Sequence, residues 1–159
     1  MSSGRELRAT EADELALLEL LVPRAQGRID GQLRESDALD GKALGVLGAD
    51  AAAIALLVAV RFDLSRLWWI GAAALGASAV ALLATVWPRT FDVGPDARRF
   101  YETMAGSTRV EAARQMLSEL IAASEHNAVQ LPGKRRQFKA GFGLLVAGLL
   151  VSLIVALAS

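Results

Sequence analysis

Three apolar stretches decide what this chain can fold into. Residues 67–87 (LWWIGAAALGASAVALLATVW) and 140–158 (AGFGLLVAGLLVSLIVALA) contain no charged side chain, and residues 43–60 (ALGVLGADAAAIALLVAV) contain one, Asp50. As helices rising about 1.5 Å per residue they reach roughly 27 to 32 Å, which matches a hydrocarbon core of about 30 Å. A chain of 159 residues has too little other material to hide all three in one water-soluble core. They read as membrane spans, two close together and then one.

Charge is segregated around them. The 17 basic and 17 acidic residues cancel overall, but basic and acidic side chains number 6 and 9 over residues 1–42 and 9 and 6 over residues 88–139. No long run of one sign points to a nucleic acid polymer as partner. Cysteine is absent, which excludes disulfides, thiolate metal sites and cysteine nucleophiles. The N-terminal MSSGRELRATEADE lacks the basic-then-apolar order of a signal peptide, so the first span is expected to direct insertion itself. Basic residues flank the spans at Lys42 and at Lys134, Arg135, Arg136 and Lys139. By the positive-inside rule residues 1–42 and 88–139 are expected in the cytoplasm, with the 61–66 turn and Ser159 outside. Trp68, Trp69 and Trp87 fall at the two ends of the second span, where aromatic belts sit.

The expected organisation is therefore N-terminal helices over 1–42, a hairpin of spans 43–60 and 67–87, a helical insert over 88–139 and a third span over 140–158. Within the first segment, TEADELALLELLV (10–22) reads as a short amphipathic helix with Leu15, Leu18 and Val22 on one face. Thr10 and Asp13 approximate a capping box, and Pro23 is expected to end the helix. A second helix is expected to start near Arg24, with Ile29 and Leu33 on one face, and to run on toward the first span. In the insert, PRTFDVGPDARR reads as an exit loop and 96–105 as a short helix ended by Gly106. Thr108 and Glu111 then form a cleaner capping box for a helix over 109–125 striped by Val110, Ala113, Leu117, Leu120 and Ile121. Pro132-Gly133 is expected to separate that helix from the third span.

Asp50 is the sharpest candidate for chemistry. Seven residues into a span, a carboxylate costs on the order of 3 kcal/mol, which protonation, a polar partner or water must offset. It marks a pore or a polar assembly contact, or else a carboxyl near enough to the interface to be hydrated. One copy offers few helices to enclose it, so a homo-oligomer is expected, with the first span facing protein or water. Gly41 with Gly45, Gly143 with Ala147, Gly148 with Ser152 and Ala72 with Gly76 are spaced for close helix approach. Lys134, Arg135 and Arg136 could grip a phosphate, or could simply fix topology and meet anionic lipid. Arg98 and Arg99 beside Tyr101 could form a small anion site, or a solvated helix face. His126 stands without metal-ligand spacing, and no nucleophile–base set or phosphate loop is present. No metal, cofactor or enzymatic activity is expected.

Two short motifs add a resemblance. Asp40-Gly41-Lys42-Ala43 precedes the first span, and Asn127 followed after six residues by Lys134-Arg135-Arg136 enters the third. With the 2+1 layout these resemble the Pycsar transmembrane effectors and the related SLATT-type domains of bacterial nucleotide-signalled antiphage systems. The resemblance implies a multi-pass protein of the bacterial inner membrane. It implies that binding of a cyclic pyrimidine mononucleotide triggers assembly and membrane disruption, with Asp40, Lys42 and Asn127 at the matching positions. Asp50 is not part of that pattern. Two other functions fit the residues: a passive anchor that recruits a cytosolic partner, and a minimal ion or proton conductor built on Asp50.

Overall fold

The computed structural model describes residues 3–59 and 68–158, with side chains from Thr10 onward. The 61–66 turn and Ser159 lie outside the described residues. The described residues form four helices: α1 (Ser3–Ala59), α2 (Trp68–Val86), α3 (Ala97–Met104) and α4 (Arg109–Leu157). Three of them, α1, α2 and α4, are long and apolar enough to cross a membrane. The protein is an all-α membrane protein with three spans.

Neither proline ends a helix. Thr10, Pro23 and Arg24 lie inside α1, and Pro132 and Gly133 lie inside α4. A proline within a helix removes one hydrogen bond and crowds the carbonyl four residues back, at a cost of about 3 kcal/mol. Packing on both sides overrides that cost. Val22 before Pro23, and Ala25 and Ile29 after it, join one cluster with Leu120 and Ala123. Leu131 and Lys134, on either side of Pro132, are both buried. The expected separate helices are thus continuous ones.

The chain divides into two compact units, one of residues 1–34 and 90–130 and one of residues 35–89 and 131–159. Unit 1 is built like a small soluble bundle. Its core is Ile29, Leu120 and Ala123, with Val22, Ala25, Leu33 and Met116 packed against them. Leu18 is buried as well, and Ile121, expected on the same stripe as Leu120, is half exposed. The capping box forms as expected. The Thr108 N–H donates to Glu111 Oε2 at 2.9 Å, and the Glu111 N–H donates to Thr108 Oγ1 at 3.3 Å. The Thr108 backbone N–H first, and then the Thr108 hydroxyl, which also donates to Oε2 at 3.0 Å, hold the Glu111 carboxyl below its ordinary range. Gly106, at φ +96°, closes the turn after α3. Gly94, at φ +93°, is needed twice over, because a Cβ there would also lie 2.9 Å from Leu120 Cδ2.

Unit 2 is packed by a different set of residues. Ser36, Ala43, Asp50 and Leu57 are the buried positions along α1, each seven residues from the next. The same interval separates Gly71, Ser78 and Thr85 on α2, and Lys134, Gly141, Gly148 and Val155 on α4. A period of seven is the signature of helices packed along a continuous left-handed seam. Most buried residues on these stripes are small or polar, while Leu44, Leu56, Val80, Leu83, Leu150, Leu153 and Ile154 face outward. A Cβ on Gly141 would sit 2.8 Å from Leu82 Cγ and 3.2 Å from the Leu82 backbone nitrogen. Gly148 lies as tightly against Leu75, and Gly71 against Ser152. Ser78 Oγ donates to the Gly141 carbonyl at 2.9 Å. Of the expected small-residue pairs, Gly148 with Ser152 makes these contacts; Gly41, Gly45, Gly76 and Gly143 have open space where a Cβ would be.

Candidate functional site

In unit 1 the exit loop is tied to α4 by Asn127. Its amide donates to the Asp92 carbonyl at 2.7 Å, and its Oδ1 accepts the Asp92 N–H at 2.8 Å. The side chain is fully buried and both of its functional atoms are used. His126, one residue earlier, has Nε2 3.2 Å from the Thr90 carbonyl, so it contacts the loop rather than standing alone in solvent. The loop then reaches Gly94 and the N-cap of α3, where Asp96 Oδ1 accepts from the Arg99 N–H at 2.9 Å.

This loop, α3 and α4 enclose a cleft of about 530 Å³ lined by Gly94, Pro95, Asp96, Arg99, Phe100, Thr103, Met104, Gln115 and Glu119. One guanidinium, one phenyl face and several hydrogen-bonding side chains converge there. The lining holds one cation, the Arg99 guanidinium, against two carboxylates, Asp96 and Glu119. The two carboxylates facing it are already engaged: Asp96 caps α3, and Glu119 Oε1 accepts from Gln115 Nε2 at 2.7 Å. The expected aromatic partner was Tyr101, but that side chain is 77% exposed and does not line the cleft. Phe100 does. Arg98 faces elsewhere and pairs with Glu102 at 3.0 Å on an exposed face. Sequence spacing alone could not separate the two arginines, since it did not reveal which face of α3 the loop covers.

In unit 2, Lys134 is the buried centre of a polar set. Its Nζ donates to Asp40 Oδ2 at 2.6 Å and to Ser36 Oγ at 2.8 Å, and the lysine side chain is only 3% exposed. Arg135 pairs with Glu35 at 2.5 Å on a more exposed face. Lys42 and Arg136 are exposed. The candidate ligand contacts therefore divide, with Arg98, Arg99 and Asn127 in unit 1 and Asp40, Lys42, Lys134, Arg135 and Arg136 in unit 2. Pairing between Asp40 and Lys134 was not anticipated, because the two positions lie 94 residues apart in the chain.

Asp50 is fully buried, and neither carboxylate oxygen has a hydrogen-bond partner among the described residues. A single chain thus encloses it, contrary to the expectation that several copies are needed. The first span as a whole is not more enclosed than the others. Its buried positions form one stripe, and less of its most apolar window is buried than in α2 or α4. Val46 and Ala53, about one turn on either side of Asp50, pack against the cluster of Leu57, Leu75 and Leu145. The α1 neighbours of the Asp50 carboxyl thus belong to a hydrophobic cluster.

No curated protein and no solved structure matches the chain. The model of one family, described as the Pycsar effector protein domain, matches residues 24–159. The match covers all three spans, the exit loop tied down by Asn127, the α3 cleft and Asp50, and the chain belongs to the Pycsar effector family, as a membrane effector of antiphage defence.

Proposed function

We propose that the chain rests as a closed bundle and, on binding a cyclic pyrimidine mononucleotide in the unit 1 cleft, oligomerises and permeabilises the bacterial inner membrane. The observation that carries this reading is Asp50, buried on the inner stripe of unit 2 with no partner for either oxygen. A carboxyl so placed disfavours the closed bundle by on the order of 3 kcal/mol. Any rearrangement that brings water or a polar group of a second copy to Asp50 recovers part of that cost, so the closed state is poised to open. Unit 1 then lies in the cytoplasm, where the nucleotide is made. Arg99 faces the phosphate, Phe100 stacks the pyrimidine, and Gln115 and Thr103, whose donors already serve Glu119 and the Arg99 carbonyl, accept from its edge or the ribose. The protein acts by assembly rather than by catalysis.

Dye release from liposomes containing the purified full chain tests this. Cyclic UMP or cyclic CMP is expected to release dye, and linear UMP is not; Arg99→Gln is expected to raise the nucleotide concentration needed by about tenfold, the usual effect of one charge-assisted contact. Silence with every cyclic nucleotide sinks the proposal. The burial of Asp50 also favours a second reading, an ion conductor. That reading requires a steady current without nucleotide that Asp50→Asn abolishes.

A further inference from the structure

Unit 2 carries a second concave surface, far in chemistry from the α3 cleft. Val80, Leu83, Ala84, Trp87, Arg89 and Gln137 line an open groove of about 420 Å³. Its α2 side is apolar and outward-facing, with Val80 68%, Leu83 51% and Trp87 72% exposed. At one end sits the Arg89 guanidinium, held in two ways. Its Nη2 donates to Gln137 Oε1, and its Nη1 lies over Gly133, where a Cβ would approach to 3.1 Å. Gln137 orients the guanidinium. Trp87 directly follows the span-length α2, at the level where an indole meets lipid headgroups.

An apolar channel along a membrane helix with a fixed guanidinium at its headgroup end matches one class of molecule. We propose that this groove binds a single anionic phospholipid, with an acyl chain along Val80, Leu83 and Ala84 and the phosphate on Arg89. The planar guanidinium suits a phosphate through paired N–H donors. Gln137 and the small Gly133 hold it against α4. A headgroup that carries its own ammonium competes with Arg89 for the phosphate, so phosphatidylglycerol fits better than phosphatidylcholine. The site is separate from the proposed nucleotide cleft.

Native mass spectrometry of the full chain in detergent, titrated with phosphatidylglycerol or phosphatidylcholine, tests it. The wild-type chain is expected to hold one phosphatidylglycerol about tenfold more tightly than phosphatidylcholine, the effect of one charge-assisted contact. Arg89→Gln is expected to abolish that preference, and Arg89→Lys to keep part of it. Ala84→Trp, which fills the groove, is expected to weaken both lipids. Lys139→Gln removes the same charge from an exposed α4 position outside the groove and is expected to change the preference less than twofold. The proposal is overturned if Lys139→Gln costs as much as Arg89→Gln, which would mean diffuse attraction to the surface. It is equally overturned if the preference survives Arg89→Gln, or if Ala84→Trp changes neither affinity. Unfolding temperatures of each variant separate a lost site from a lost fold.

Discussion

Units 1 and 2 share the helices α1 and α4, yet they bury different mixtures of residues. Unit 1 encloses isoleucine, leucine and methionine and leaves its ion pairs outside, as with Arg109 and Glu19, both more than half exposed. Unit 2 buries glycine, serine, threonine, aspartate and lysine beside Leu57, Leu75, Leu82 and Leu145, and turns many other leucines, valines and isoleucines outward. The difference follows from the solvent. In water, removing aliphatic surface drives packing, at about 25 cal/mol per Å². In hydrocarbon it drives nothing, and helices associate where small residues let backbones meet and polar groups find partners. Helices of the same chain can therefore follow two packing rules.

The comparison can be broken most sharply at Lys134. Lys134→Ala is expected to destabilise unit 2 by about 3 kcal/mol, because it strands the half-buried Asp40 without its cation. Replacing Asp40 by leucine together with Lys134 by methionine is expected to restore most of that, in a denaturation series in mild detergent. If the single and double variants unfold alike, the buried pair is not what holds α1 to α4 there. Next, Gly141→Ala is expected to cost about 2 kcal/mol, since its Cβ meets the α2 backbone, which cannot move aside as a side chain can. Gly76→Ala, in open space, serves as its control and is expected to be neutral or slightly stabilising. Equal losses at the two glycines would mean that close approach does not govern unit 2.

Asp50→Leu should act in the opposite direction. Removing the unpartnered carboxyl is expected to stabilise the closed bundle by about 2 kcal/mol and to suppress nucleotide-dependent dye release. A passive anchor would gain the stability and lose nothing. In unit 1, Asn127→Ala is expected to cost about 1 to 2 kcal/mol by orphaning the Asp92 N–H and carbonyl, and to loosen the loop beside the cleft in hydrogen exchange. The smallest effect belongs to pH. The Glu111 carboxyl is lowered in the folded chain, so its capping contribution is complete above the ordinary value of 4.5 and fades as pH falls from there through the lowered value. Faster exchange of the first α4 amides on acidification, absent in Glu111→Gln, would verify it.

Much of unit 2's outline could be read before any coordinates, because an uncharged run of about 20 residues has few fates besides a span. The Thr108–Glu111 box was equally readable, since its bonds lie within three residues. Pro23 and Pro132 were misread as breaks for the converse reason: the side chains that override them lie on other helices. Glycine spacing misled in a similar way. The conspicuous four-residue pair Gly41 and Gly45 faces open space, whereas Gly141 and Gly148, seven apart, carry the contacts with α2. In the candidate site, the pairing of Asn127 with the Asp92 backbone and the choice of Phe100 over Tyr101 depend on where a loop folds back. No local spacing encodes that.

A stripe repeating every seven residues is a ruler whose marks look alike. Sliding α1 by one mark moves it by about 10 Å and presents a similar row of small residues. On such a row a single polar residue works as an index line, the one mark that tells a register from its neighbours. Asp50 is such a line on α1, as Ser36 is two marks earlier; Ser36 meets Lys134, whereas neither Asp50 oxygen has a hydrogen-bond partner among the described residues. Along α1 the register seen here is held by the Lys134 and Arg135 pairs and by the packing of Leu57 with Leu75 and Leu145, and the Asp50 line is left for another alignment to read.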